Sequence, residues 1–456
     1  MLEQMQNVVS RVDEGLADLR YESTRKQVIQ VKKGKVNSIR NAAAQGGHMR
    51  LFLDGGVASF SFSSWDDIDK GFKALPEQAR LSGRQRTRKA RIQPLPPLRD
   101  AVELYAPVHA EDIALQEKID LLKEYEQYVR DRVDVVMSTV SYNQETAQRY
   151  FYSTEDRYIS QESLFLSLSL HVFVQSAGDI QSMAISFGGN ENFGELANPY
   201  ERLNAFIEQI KEMKTAKPIP GGNYNVILNP ILAGVFIHEA FGHLSEAEHL
   251  YYNPQLSEQL ALGKQIASPI LTVVDDPNIM EAPGYYAYDD EGVRGARTEI
   301  IKSGCVNHYL HSRESAAHFN QELTGNTRAG HYRFTPLIRM SNIFIQQGKT
   351  PVEDLFASLD DGYYLLNAKG GQTVGNQFTF GAQYGYKVRN GKKEHMVKDI
   401  NISGNLFQTL ANIAMVADDF QFDKRGGCGK DGQLISKSGV GSPHIRINQV
   451  TIGGAV

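Results

Sequence analysis

The run Asn229-Pro230-Ile231-Leu232-Ala233-Gly234-Val235-Phe236-Ile237 has one polar residue, its first. Asparagine caps a helix N-terminus well, and proline suits the first helical position, where a missing N–H costs nothing. The pair therefore starts a helix that is apolar all round and has to be buried. Such a helix demands a core around it, and at its far end it delivers His238-Glu239-Ala240-Phe241-Gly242-His243. Two neutral imidazoles on a short segment can hold a zinc ion, and a glutamate beside the first can take a proton from metal-bound water.

The familiar zinc-protease signature places its histidines four residues apart on one helical face, but here the separation is five. At about 100° per residue an ideal α-helix turns about 500° between them and leaves the rings roughly 140° apart. They can share a metal only where the helix widens into a π-turn or unwinds, and Gly242 is placed to allow either. A second reading stays open, with His238 and Glu239 a buried hydrogen-bonded pair and His243 a cap on the helix C-terminus. Glu239 weighs against it, because a carboxylate at the end of a dry helix needs a strong reason to be there. The segment lacks a third ligand, for which Glu246, His249 and a distant cysteine are candidates.

A chain of 456 residues has length for two or three domains and a sizeable core. At 41% hydrophobic and 22% charged, it has the composition of an ordinary soluble globular protein. Forty-eight basic against fifty-three acidic residues, net −5, argue against bulk attraction to nucleic acid or to a membrane surface. The first residues lack the basic and apolar regions of a signal peptide, and no apolar run approaches the roughly 20 residues of a membrane span. The expected location is the cytoplasm. Two cysteines, Cys305 and Cys428, make a disulfide framework a poor reading. Cys428 sits among glycines in Arg425-Gly426-Gly427-Cys428-Gly429-Lys430-Asp431-Gly432-Gln433, a loop suited to a ligand or nucleophile, whereas Cys305 reads as a buried strand residue.

Read in order, the chain divides into four parts. Residues 1–82 predict an amphipathic helix over 7–22, short strands at 27–31, 36–40, 48–53 and 57–62, and a helix from Trp65 to about Arg80. Residues 83–109 form a linker in which Arg84, Arg86, Arg88, Lys89 and Arg91 precede Pro94-Leu95-Pro96-Pro97. Without interleaved aromatics the cluster reads as a solvated, semi-rigid spacer and not as a nucleic-acid site. Residues 110–216 predict a second helix-plus-sheet unit, in which the alternating run Leu164 to Leu170 should bury one face. Residues 217–456 form a large strand-rich unit holding the His-Glu segment, an acidic turn at Asp289-Asp290-Glu291-Gly292 and a helix over 404–416. The class is α+β and multi-domain, with antiparallel sheets and flanking helices. His331, Arg333 and Arg339 crowd one loop, where an arginine could grip a substrate carboxylate or pair with the acidic turn.

Several segments taken together resemble the TldD/PmbA family of peptidases, formerly called modulators of DNA gyrase, in its metal-carrying TldD-like branch. They are His238-Glu239-Ala240-Phe241-Gly242-His243 with Glu246, Asp289-Asp290-Glu291-Gly292, Pro336 with Arg339-Met340-Ser341-Asn342, Gly370-Gly371, Phe378-Thr379-Phe380, and Cys428-Gly429-Lys430-Asp431-Gly432-Gln433. The resemblance implies a zinc metallopeptidase, with His238, His243 and Cys428 as metal ligands and Glu239 as the catalytic base. His331, Arg339 and Asn342 are then candidates for substrate contacts. It further implies unfolded or short peptides as substrates and a homodimer or a heterodimer with a PmbA-like subunit, without nucleic acid or membrane as partner. Two other classes of function are weighed beside it: a scaffold subunit with a vestigial site, and a nucleic-acid-associated regulator using the basic cluster.

Overall fold

The computed structural model describes residues 1–103, 110–189, 192–423 and 425–453, so the end of the expected linker, residues 104–109, lies outside them. Its first half is one seven-stranded sheet. The strands run in the order Gly56–Phe62, Lys35–Leu53, Leu16–Lys32, Met137–Ser153, Arg157–Ser176 and Leu98–Val102, with Asp179–Gly188 also paired to Arg157–Ser176. Leu16–Lys32 and Met137–Ser153 pair from Asp18↔Ser153 to Lys32↔Thr139. Strands expected in two separate sheets therefore share one. Leu164, Leu166, Leu168 and Leu170 are buried as their alternation requires.

Three local expectations give way. The helix read over 7–22 stops at Val9, and Leu16–Lys32 is a strand. Gly15, at φ +92, turns the chain where a side chain would be strained. Ala17, Leu19 and Tyr21 face the helices beneath, but Asp18, Arg20 and Glu22 are buried as well, so no exposed polar face reveals the period of two. The helix read over 65–80 divides into Ile68–Phe72 and Leu75–Gln85, with Pro76 in the first turn of the second; proline cannot continue a preceding helix. The helix read over 404–416 is Leu406–Ala411, after which Ile413–Val416 joins the strand Ile445–Gly453.

The basic segment is no free spacer. Arg86 pairs with Glu314, Arg88 donates to Tyr251 O at 3.0 Å, and Arg313 Nε donates to Gln93 O at 2.8 Å. Arg86 and Arg88 thus meet carboxylate and carbonyl partners on the strand-rich unit over 217–456, which straps the segment down.

That unit holds two mixed sheets. One runs Cys305–Val306, Thr298–Lys302, Val273–Asp275, Asn342–Ile345, Gly439–Ser442, Gln421–Asp423. The other centres on Asp361–Val374, Gly222–Leu228, Ile445–Gly453, Ile400–Asn405 and Gln377–Arg389. The helix Pro230–Ile237 contacts strands of both. Phe236 meets Phe378 and Phe380 at ring distances of 5.5 and 5.7 Å, and the backbone at Gly234 is so close to Gly441 that a Cβ would lie 3.0 Å from its nitrogen. Among the described residues no helix is long and apolar enough to cross a membrane.

The acidic turn joins the two halves. Asp289 accepts backbone N–H bonds from Glu291, Val293 and Thr327 at 2.9 Å each. Arg50, from the first sheet, pairs with Asp18 and reaches Glu291 at 3.0 Å; Arg20 reaches Asp290 at 3.2 Å. The turn's cationic partners thus come from the first sheet and not from Arg333 or Arg339.

Candidate metal centre

Asn229 caps the central helix as its sequence dictates, its side chain accepting from Leu232 N at 3.0 Å, with Pro230 in the first turn. At its C-terminus the helix widens over His238–Gly242 into a π-turn. Bonding from i to i+5 brings residues five apart toward one face, and the rings of His238 and His243 lie 5.1 Å apart. Gly242 allows this for a reason other than backbone freedom. Its φ of −51° and ψ of −53° are ordinary helical values, but a Cβ there would lie 2.1 Å from Met340 Sδ.

The third donor arrives on a hairpin. Cys428–Lys430 and Gln433–Ile435 pair antiparallel across Asp431 and Gly432, which have φ of +47° and +74°. Two consecutive positive φ values make the tight I′ turn that Asp-Gly favours, so Cys428 sits on a strand and not in an open glycine loop. Its Sγ lies 3.5 Å from His243 Nε2. Donor atoms of His238, His243 and Cys428 all fall within 4.8 Å of one another. Donors around one tetrahedral zinc lie roughly 3.5 Å apart, given bond lengths of about 2.0–2.3 Å, so the set fits that ion in chemistry and spacing. Burial by itself raises a thiol, yet His238 and His243 beside it bring Cys428 well below the ordinary cysteine value. Burial likewise opposes the charge on His243, while its bonds to Cys428 and Glu246 raise it overall.

Glu239 is half-buried at the start of the π-turn, and its carboxylate has no protein hydrogen-bond partner among the described residues. Its own carbonyl accepts from Thr373 Oγ1 at 2.6 Å. His238 and Glu239 line a cleft of about 420 Å³ with Ala368, Gly370, Gly371 and Arg425.

The expected substrate contacts fare differently. Arg339, 1% exposed, donates to Cys428 O at 2.7 Å and Gln433 O at 3.4 Å, and so seats the cysteine hairpin. Asn342 is fully buried, accepting from Gly284 N at 2.7 Å and donating to Asp276 O at 2.9 Å. Both are buried and hold backbone groups in place, Arg339 through its two terminal nitrogens and Asn342 through both ends of its amide. His331 rests on the Tyr332 ring at 4.3 Å. Cys305 is half-buried, its thiol directed at Gln265 Oε1 at 3.1 Å.

Sequence reasoning missed the role of Lys430. Its ammonium bonds Glu246 Oε2 at 2.6 Å, Ile338 O at 3.1 Å and also Glu248. Glu246, Glu248 and His249 form a second cluster of donors within 4.8 Å of one another. Glu246 and His249, weighed above as third ligands, belong to this neighbouring group.

Two imidazoles and a thiol within 4.8 Å of one another, with a glutamate beside them at a cleft, are a donor set of the class that can hold one metal ion. Comparison with known proteins narrows it. Residues 17–79, 108–210 and 221–454 match, in order, domain 1, the central domain and the C-terminal domain of the PmbA/TldA metallopeptidases. A metalloprotease from Synechocystis is 33% identical over 440 residues, 96% of this chain and 94% of that one. A zinc metalloprotease TldD homologue from Saccharolobus solfataricus is 34% identical over 375 residues, 79% of this chain and 81% of that one. TldE from Thermococcus kodakarensis superposes with a TM-score of 0.75 at 16% identity over 99% of this chain and 100% of that one, a likeness of fold alone. The chain belongs to the PmbA/TldD metallopeptidase family.

Proposed function

We propose that this chain is a zinc-dependent peptidase of unfolded or short peptides, in which His238, His243 and Cys428 hold the metal and Glu239 is the general base. The observation that carries the reading is the convergence of three donor atoms within 4.8 Å from segments 185 residues apart. The thiolate and two imidazoles suit zinc, in line with the zinc metalloprotease named above. When bound, zinc supplies a Lewis acid that lowers the pKa of water and polarises a carbonyl.

The rest falls to the chain's own residues. Glu239, next to the first ligand and facing the cleft, accepts the proton of the attacking water and returns it to the leaving amine. Thr373 holds the Glu239 carbonyl and so fixes the turn from which that carboxylate projects. Gly371, whose Cβ would lie 3.5 Å from Glu239 Cγ, leaves the peptide backbone room along the cleft wall. The reading includes a dimer, with a second copy of this chain or with a PmbA-like subunit, in the cytoplasm.

The test is metal content and peptide hydrolysis on protein purified without a metal-affinity column. The reading expects about one zinc per chain, and hydrolysis of an unfolded peptide that Glu239→Gln slows by about 10²–10⁴-fold while retaining zinc. A wild type that purifies and stays empty in zinc would move the chain to a scaffold role.

A further inference from the structure

We propose that Glu246 and Lys430 form a clamp that positions the metal ligands, an inference that rests on the metallopeptidase reading. Neither residue is a ligand. Glu246 Oε2 takes the Nδ1 side of His243 at 3.2 Å, while Nε2 of the same ring points to Cys428 Sγ at 3.5 Å. The two ring nitrogens thus have separate tasks. A carboxylate on Nδ1 fixes the tautomer and the ring plane and makes Nε2 a better donor.

Lys430 completes the device. It lies two residues beyond Cys428 on the hairpin, and Glu246 lies three beyond His243, so their 2.6 Å bond ties together the two segments that bring ligands. The ammonium is held by Ile338 O at 3.1 Å and by Glu248, which keeps it from following solvent. Glu246 is rigid in turn. Its side chain has no exposure, and the backbone on both sides is pinned to Leu310, through Leu310 N to Ser245 O at 2.9 Å and Ala247 N to Leu310 O at 3.0 Å. Its second oxygen, Oε1, has no partner among the described residues. Burying a carboxylate with half its acceptors idle is unfavourable, and a positioning task toward His243 accounts for its presence.

The test measures zinc affinity by competition with a chromophoric chelator, on the full chain, for wild type, Glu246→Gln, Lys430→Met and the double variant, with circular dichroism as the folding check. Glu246→Gln should bind zinc about 10–100-fold more weakly, and Lys430→Met more weakly by a smaller factor. The double variant should be no weaker than Glu246→Gln alone, because Lys430 acts through Glu246. With cobalt(II) at saturation, Glu246→Gln should shift the d–d absorption and keep the thiolate charge-transfer band; a residue that only supports the fold would leave both in place. If Glu246→Gln does not fold, Lys430→Met carries the same readings. Wild-type affinity in the folded single variants, or additive losses in the double one, would overturn the clamp while leaving the peptidase reading intact. Variants that lose affinity beside a wild type that binds zinc but cleaves no peptide would support the clamp and overturn that reading. A wild type that binds no zinc overturns both.

Discussion

Two clusters of donors lie side by side, and they differ in what already occupies them. His238, His243 and Cys428 on one side, and Glu246, Glu248 and His249 on the other, each gather three donor atoms within 4.8 Å. The second already holds a cation of the protein's own, the Lys430 ammonium on Glu246 and Glu248. Among the described residues the first has no lysine or arginine bonded to its donors, its positive charge resting on the His243 ring itself, and it opens on a cleft beside Glu239. Proximity of donors is thus a weak criterion. What separates the clusters is that a lysine ammonium sits on the carboxylates of the second, whereas the first joins two imidazoles to a thiol beside a cleft.

The contrast can be broken in order of expected effect. Cys428→Ser should remove most bound zinc and with it all peptide hydrolysis, read by plasma mass spectrometry and a fluorogenic peptide; retained zinc would mean that another residue completes the first cluster. Glu239→Gln should keep zinc and lower kcat by about 10²–10⁴-fold. Equal turnover in the two proteins would rule out that carboxylate as the base.

Acid should act next, beneath the second cluster. His311 follows Leu310, whose backbone pins Glu246, and its ring is bonded to Ser315 and Gln321. Burial first of all holds it neutral, down to about 4. The folded pKa is the lower one, so the unfolded chain binds the extra proton. The stability contribution is full above pH 6.5 and is lost as pH falls toward 4, by roughly 3 kcal/mol in total. His311→Gln should flatten that limb in melts taken between pH 7 and 4; an unchanged limb assigns acid sensitivity elsewhere.

Gly242→Ala should cost about 1–3 kcal/mol by overpacking, since its Cβ would meet Met340 Sδ at 2.1 Å; a melting temperature equal to wild type would show that Met340 yields. The smallest effect expected is in Lys430→Met. Emptying the second cluster of its cation should leave zinc at no more than about one per chain, and a rise to two would make that cluster a metal site after all.

The first cluster was largely legible because its signals are local. Asn229-Pro230 starts the helix, the apolar run buries it, and the five-residue histidine spacing leaves a π-turn or an unwound end, of which the π-turn is present. Cys428 stood beside Glu246 and His249 as a candidate third ligand until the family resemblance singled it out, and Asp431-Gly432 is the local signal of the hairpin that carries it. Arg339, open in the sequence between a substrate carboxylate and the acidic turn, donates to backbone carbonyls of the cysteine hairpin, partners that side-chain charge gives no hint of. Lys430 was invisible in role because its partners are 184 and 182 residues away. The strand Leu16–Lys32 escaped because its second face buries charge in place of meeting water.

That second face has a consequence for how the protein comes apart. Asp18, Arg50 and Glu291 are 1%, 6% and 3% exposed at the side chain, and removing one member of a buried ionic group costs about 3–5 kcal/mol. Residues 221–454 produced alone would present Glu291 and Asp290 to solvent without Arg50 and Arg20. The N-terminal sheet acts as a counter-charge for the C-terminal part, and the two should melt in a single cooperative transition although they are separate family domains.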